Sequence, residues 1–183
     1  FKGGMRAINL LISDEFHRAA PGGSGGVKAI GNYAPGMMPS KLAKAQGYAE
    51  IIYLDAKTST YIEEVGAANF FCIKDSVLYT PELTGTILPG ITRDSIIALA
   101  RSMGYQVVEE KVSAEFAMSA DEAFCCGTAA VISPIGSITH GDKKATYGDG
   151  TPGAITTTLY DKLTGIQNET EEDTFGWLHE VPL

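Results

Sequence analysis

The sequence predicts a mixed α/β fold of the α+β kind, built around one core. Three observations predict it. Short apolar runs of strand length recur along the chain, several joined by hairpin-length turns. Between them lie stretches with the 3–4 residue apolar spacing and the glycine stops of helices. The chain has 183 residues, 44% hydrophobic and 20% charged, which is enough for one sizeable core. Strands grouped into hairpins, rather than alternating strictly with helices, argue against a doubly wound sheet.

Residues 7–12 (AINLLI) read as a strand. Residues 13–26 are polar and rich in Gly and Pro, the composition of a connector between domains. On this reading residues 1–12 are the tail of a small N-terminal domain, 13–26 the interdomain connector, and 27–183 the main domain. The chain opens on Phe1 as though in mid-strand, so it is read as a piece of a longer protein.

Residues 32–47 read as helical, with Met38, Leu42 and Ala45 on one face and Gly47 as the stop. Pro39 is expected to delay the regular part until about Ser40. Residues 50–55 form a buried strand, and 61–65, 69–73 and 77–80 follow as successive strands, the last two joined at Lys74-Asp75. A helix is expected over 93–103, with Ile96, Ile97, Ala100 and Met103 on one face, Thr92 as its cap and Gly104 as its end. Residues 106–112 alternate as a strand, and Ser119 with Glu122 has the spacing of a capping box on a short helix. Strands over 123–126 and 129–138 bracket Gly127-Thr128. A last helix runs from about 152 to 165, and after an acidic run the Phe175-Gly176-Trp177-Leu178 stretch is expected to dock back.

The charge balance removes several function classes. A net charge of −8 without any Lys/Arg cluster argues against a nucleic-acid partner. No apolar run approaches membrane-spanning length. Cys72, Cys125 and Cys126 are odd in number, two of them adjacent, with no CxxC, which favours a reducing compartment. His17, His140 and His179 are too scattered to predict a metal site.

Four stretches carry chemistry. The first, residues 22–34 (GGSGGVKAIGNYA), sets Lys28 after paired glycines and before Asn32-Tyr33. Glycines permit close backbone approach to a flat ligand, and a lysine in a cramped, partly desolvated place can act as an amine nucleophile. Taken alone, the stretch equally describes a flexible linker with one solvated lysine. The second, residues 63–71 (EEVGAANFF), puts Glu64 where a strand meets a bend; a lone glutamate there is commonly just a surface carboxylate. The third, residues 88–93 (LPGITR), opens a helix, whose free N–H groups and dipole favour an anion. The fourth, residues 127–130 (GTAA), is a small-residue turn carrying one hydroxyl.

In this order, GG-x-G-x-x-K-x-x-x-NY, EVG-x-x-N-x-F, LPGITR and GTAA-x-ISP resemble the branched-chain amino acid aminotransferases over essentially the whole chain. These are pyridoxal 5′-phosphate (PLP) enzymes of fold type IV, and the match is to their larger, C-terminal domain. The resemblance implies a D-amino acid aminotransferase-like fold, a curved mixed sheet or pseudo-barrel flanked by helices. It implies transamination of leucine, isoleucine or valine with 2-oxoglutarate, by a ping-pong Schiff-base route.

Residue by residue, Lys28 matches the lysine that forms the Schiff base and carries the proton from the substrate α-carbon. Tyr33 matches the tyrosine at the cofactor's phenolic oxygen, and Glu64 the carboxylate facing the pyridine nitrogen. Ile91 and Thr92 match the phosphate-holding amides, Thr128 adds its hydroxyl there, and the Thr128-Ala129 amides border the substrate carboxylate. Ala130 and Ser133 stand where some relatives carry a CxxC redox pair, so that switch is not expected.

The family's phosphate-binding arginine lies in its small domain, and Arg93 gives no reason to replace it. The chain as given is therefore expected to fold but to show little activity. The resemblance implies a homodimer when full length and a cytoplasmic setting, with an organellar transit peptide left open. D-amino acid aminotransferase and aminodeoxychorismate lyase, which share a lysine and a glutamate at comparable places, are the alternatives within the fold. A folded domain without catalysis is the alternative outside it.

Overall fold

Strand β1 (Ile8–Ser13) is hydrogen-bonded on both edges, parallel to β2 (Glu50–Leu54) on one side and to β8 (Val131–His140) on the other, in a computed structural model that describes residues 5–181. From β2 the sheet passes to β3 (Ile62–Val65), then to β4 (Ala68–Lys74), β7 (Glu122–Gly127) and back to β8. These six strands close a ring. A closed sheet satisfies its edges without exposing them. Strands β5 (Val77–Pro81) and β6 (Val107–Glu110) extend from the far half of β4, and β9 (Lys143–Thr146) from the far half of β8.

The two-residue alternation of the strands divides the core. Leu10, Ile12, Ile52, Leu54, Phe70, Cys72, Ala123 and Cys125 belong to one buried cluster, together with residues of helix α3 (Ala114–Met118). The alternate residues Phe71, Ile73, Phe124 and Cys126 pack instead with helices α2 (Ile91–Ser102) and α4 (Ala154–Gln167). Strands β4 and β7 are thus buried on both faces, which is why their sequences are apolar almost throughout. Phe71 and Phe124, paired across them, stack at 4.9 Å. Burial pushes the Cys125 thiol up to about 12 and that of Cys126 well above its ordinary range, so both behave as apolar strand residues.

Several sequence expectations are corrected. Of residues 1–12, read as the tail of a separate small domain, 1–4 lie outside the described residues and 8–12 belong to β1, which is paired on both edges with β2 and β8. The helix expected from residue 32 begins later: two 3₁₀ turns, Ile30–Asn32 and Ala34–Gly36, precede α1 (Met37–Ala45). Pro39 lies in the first turn, where its missing N–H has no helical partner to lose. The buried face of α1 is Pro39 and Ala43, whereas Met38 and Leu42 are 61% and 46% exposed.

Helix α2 starts at Ile91 with Gly90, not Thr92, as its cap residue. The Ser119/Glu122 capping box does not form either. Ser113 caps α3, its Oγ accepting from Phe116 N at 3.1 Å, while Glu122 joins β7 opposite Ile73. The tail reading holds in outline: Phe175 packs against the α2/α4 cluster, and Trp177 stacks on it at 4.2 Å.

Candidate active site

The Gly-rich stretch is a tied loop. Asn32 is buried, accepts from Ser24 Oγ at 2.8 Å, and donates through Nδ2 to Ser24 O at 2.7 Å and Val27 O at 2.8 Å. Gly25 lies against the 86 segment so closely that a Cβ there would meet Thr86 O at 2.5 Å. Between these ties Lys28 is exposed rather than desolvated, a correction to the expectation from sequence. It lines a cleft of about 520 Å³. The same lining includes the β7–β8 turn, Gly127, Thr128, Ala129 and Ala130, closed by Val131 at φ 56°. A β-branched residue in that region is strained, so the surrounding sheet holds the turn in shape.

Tyr33 lines an adjoining cleft of about 220 Å³ with Arg18, Asn32 and Tyr53. Glu50 and Ala67 line both clefts, so the Lys28 and Tyr33 surfaces share a wall. Glu50 is held there by Ser40 Oγ at 3.0 Å and Lys44 Nζ at 3.3 Å.

Glu64 is 2% exposed and lines neither cleft. Its Oε1 accepts from Leu88 N at 3.0 Å and from Asn69 Nδ2 at 3.3 Å; its Oε2 makes an ion pair with Arg18 Nε. Burial raises its carboxyl to about 7, against the opposing pull of Arg18 and the Leu88 amide. Arg18 in turn donates through Nη1 to Thr86 O at 2.9 Å and Gly25 O at 3.3 Å, and through Nη2 to Gly25 O at 3.2 Å. Glu63 accepts instead from the Thr86 hydroxyl, and it borders a separate cavity of about 290 Å³.

The start of α2 has no side-chain cap. Among the described residues no acceptor meets the Ile91 or Thr92 amide, and the Ile91 side chain is 80% exposed. This is an open helix N-terminus, charged positive by its dipole. The start of α4 differs, since Glu122 already occupies it, accepting from Ile155 N at 3.0 Å and Thr156 N at 2.9 Å.

Asn69 joins the α2 start to the Thr128 turn. It donates to Leu88 O at 2.9 Å, a Cβ on Gly90 would strike its Oδ1, and in the sheet it pairs with Cys126, two residues before Thr128. Ile91, Thr92 and Thr128 therefore lie at the same end of β4 and β7. Arg93 is committed elsewhere, to Pro81 O and Glu109, each at 3.0 Å.

The structure thus brings Lys28, Thr128 and Ala129 to one cleft, with Tyr33 next to it and Glu64 buried nearby through Arg18. Sequence reasoning missed Arg18, Asn32 and Asn69 as the side chains that tie these pieces. Asn32 and Asn69 stood inside the quoted motifs, whereas Arg18 stood alone in a polar connector with no local signal. Among the described residues no cluster could hold a metal ion, and no helix is long and apolar enough to cross a membrane.

Comparison with known proteins gives the family and the fold. Residues 4–138 match the family described as amino-transferase class IV. The branched-chain-amino-acid aminotransferase 3, chloroplastic, of Arabidopsis thaliana is 50% identical over 177 residues, covering 97% of this chain and 43% of that protein. The structure of a branched-chain amino acid aminotransferase from Escherichia coli superposes with a TM-score of 0.86 at 39% identity, over 96% of this chain and 57% of the other. The branched-chain amino acid aminotransferase from Thermobaculum terrenum, in its PLP-form, gives 0.81 at 32% identity, over 90% of this chain and 52% of the other. The chain spans about half the length of these proteins.

Proposed function

Because this chain belongs to the class IV amino-transferases, we propose that it carries the PLP site of a branched-chain amino acid aminotransferase, which moves the amino group of leucine, isoleucine or valine to 2-oxoglutarate. One observation carries the reading: Lys28 shares a cleft with the Gly127–Ala130 turn, at whose end of the sheet the uncapped α2 start also lies. The groups present fit the cofactor. Amides and a Thr128 hydroxyl without partners among the described residues suit a phosphate, an exposed amine suits an aldehyde, and a buried carboxylate suits a pyridinium.

When bound, PLP supplies an electron sink for charge developing at the substrate α-carbon. The chain's own groups do the rest. Lys28 would hold the cofactor through Nζ, and the same Nζ, when free, would be the base that takes the α-carbon proton. Tyr33 donates its hydroxyl to the phenolic oxygen. Glu64, ionised, favours a proton on the pyridine nitrogen. The Ile91 and Thr92 amides with Thr128 Oγ1 hold the phosphate, and the Thr128-Ala129 amides orient the substrate carboxylate. A homodimer and a cytoplasmic setting belong to the same reading, with the chloroplastic name of the Arabidopsis relative marking the other outcome for location.

The test is borohydride reduction of the PLP-treated protein followed by peptide mapping, alongside an assay with leucine and 2-oxoglutarate. The pyridoxyl group is expected on Lys28. A label on Lys41 or Lys44 would overturn the assignment.

A further inference from the structure

We propose that Arg18 is a positioning residue for the cofactor site, which favours the ionised form of Glu64 against its burial and ties it to the loop that carries Lys28. The proposal rests on the functional reading above. It starts from a conflict: a carboxylate 2% exposed, asked to stay charged opposite a pyridine nitrogen. Burial alone favours the neutral acid, and a neutral acid would no longer draw a proton onto that nitrogen.

Arg18 is the chain's answer to that conflict. It is itself 6% exposed, and its Nε meets Glu64 Oε2, an oxygen with no other partner among the described residues. A guanidinium cannot give up its charge, so it always pulls the partner carboxylate toward its ionised form, where a lysine could itself go neutral. The other charged and titratable groups facing Glu64 do not do this. Glu63 is adjacent and of like charge, and the Cys126 thiol on β7 stays protonated. Asn69 and the Leu88 amide donate to Oε1 but carry no charge.

The remaining donors of Arg18 extend its reach. Nη1 and Nη2 converge on Gly25 O, three residues before Lys28, and Nη1 also takes Thr86 O. One planar fork thus spans the Lys28 loop, the 86 segment and the β3 carboxylate. Removing it would leave two backbone carbonyls without these donors and Glu64 Oε2 without its charged partner.

The test compares Arg18→Met with Arg18→Lys in the PLP-loaded protein and in the apoprotein. ¹³C-labelled glutamate is titrated by NMR, the Glu64 signal being the one lost in Glu64→Gln. The Glu64 midpoint is expected to rise by at least about one pH unit in Arg18→Met, a tenfold change in proton affinity. It should return most of the way in Arg18→Lys, which restores charge but not the fork. Both variants are first checked for native circular dichroism; if Arg18→Met fails to fold, Arg18→Gln, equally uncharged but polar, is titrated in its place.

A Glu64 midpoint unmoved in the folded variants, with pyridoxyl still fixed on Lys28, overturns the role of Arg18 alone. Absence of label on Lys28 in the wild-type protein overturns the cofactor reading instead, even with the Glu64 shift intact.

Discussion

Glu63 and Glu64 are neighbours in β3, both buried, yet different partners hold their carboxylates: the Thr86 hydroxyl for Glu63, and Arg18, Asn69 and the Leu88 amide for Glu64. Successive strand residues point to opposite faces, so only one of the two serves a given site. Glu64→Gln is expected to lower the turnover of the full-length enzyme by about a hundredfold, the scale of losing one preorganised electrostatic partner. Glu63→Gln keeps an acceptor for Thr86 and should change turnover little. Equal losses in a steady-state assay would count against Glu64 as the pyridine partner.

Glu64 also makes stability depend on pH, with a definite sign. Its folded carboxyl titrates near 7, above the ordinary 4.5, so between these values the folded chain holds a proton that the unfolded chain has released. Stability therefore falls as pH rises through this window, and the loss is complete above 7. Burial shifts Glu63 the same way, so Glu64→Gln should flatten the slope without abolishing it. Urea unfolding of the apoprotein between about pH 5 and 8 measures this; an unchanged slope in Glu64→Gln would refute it.

Asn32 supplies a sharper structural test. Asn32→Asp keeps the shape but replaces an amide that donates to Ser24 O and Val27 O by an oxygen that faces them. The loop should lose about 1–3 kcal/mol of local stability. Hydrogen exchange over residues 24–32 should speed up while the barrel strands stay protected, and labelling of Lys28 by PLP should weaken with it.

The sheet was largely legible because its information is local. Residues 50–54, 68–74 and 122–127 carry enough apolar and β-branched character to announce strands whatever they pack against. The exposed face of α1 was not legible: Met38 and Leu42 have the spacing of a core face, and only the position of β2 decides that Ala43 is buried. Ser119 and Glu122 show the same limit. Their spacing satisfies a local rule, but the pairing of Glu122 with Ile73 wins, and its carboxylate caps α4, 33 residues away. Within the candidate site, motif order is what singled out Lys28, Tyr33, Glu64 and the Thr128 turn. Arg18 was not singled out, since a single arginine in a Gly/Pro connector shows its partner only once the chain is folded.

That long-range cap is itself testable. Glu122→Ala would free the amides of Ile155 and Thr156 and the Thr156 hydroxyl, which is buried. The expected loss is about 1–2 kcal/mol, the value of a good N-cap. Glu122→Gln should recover part of it, because an amide oxygen still accepts but carries no charge for the helix dipole. Denaturant midpoints decide: Glu122→Gln equal to wild type would show that charge at this cap contributes nothing, and Glu122→Gln equal to Glu122→Ala that the amide oxygen recovers nothing.

The open start of α2 predicts an anion site that does not depend on Lys28. The Ile91 and Thr92 amides have no acceptor among the described residues, no side chain caps them, and Asn69 fixes that helix start at the Thr128 end of the sheet. Water can satisfy such amides, but an anion gains from the dipole as well. Inorganic phosphate should therefore raise the melting temperature of the apoprotein in a saturable way, beyond the effect of chloride at equal ionic strength. Thr128→Val removes the hydroxyl while keeping the shape, and should weaken phosphate binding several-fold. Lys28→Ala should leave it nearly unchanged, since the amine is assigned to the other end of the cofactor. If phosphate stabilises wild type and Thr128→Val alike, the hydroxyl takes no part in holding the anion. If it stabilises neither, the helix start is an ordinary hydrated terminus and the phosphate must be held elsewhere.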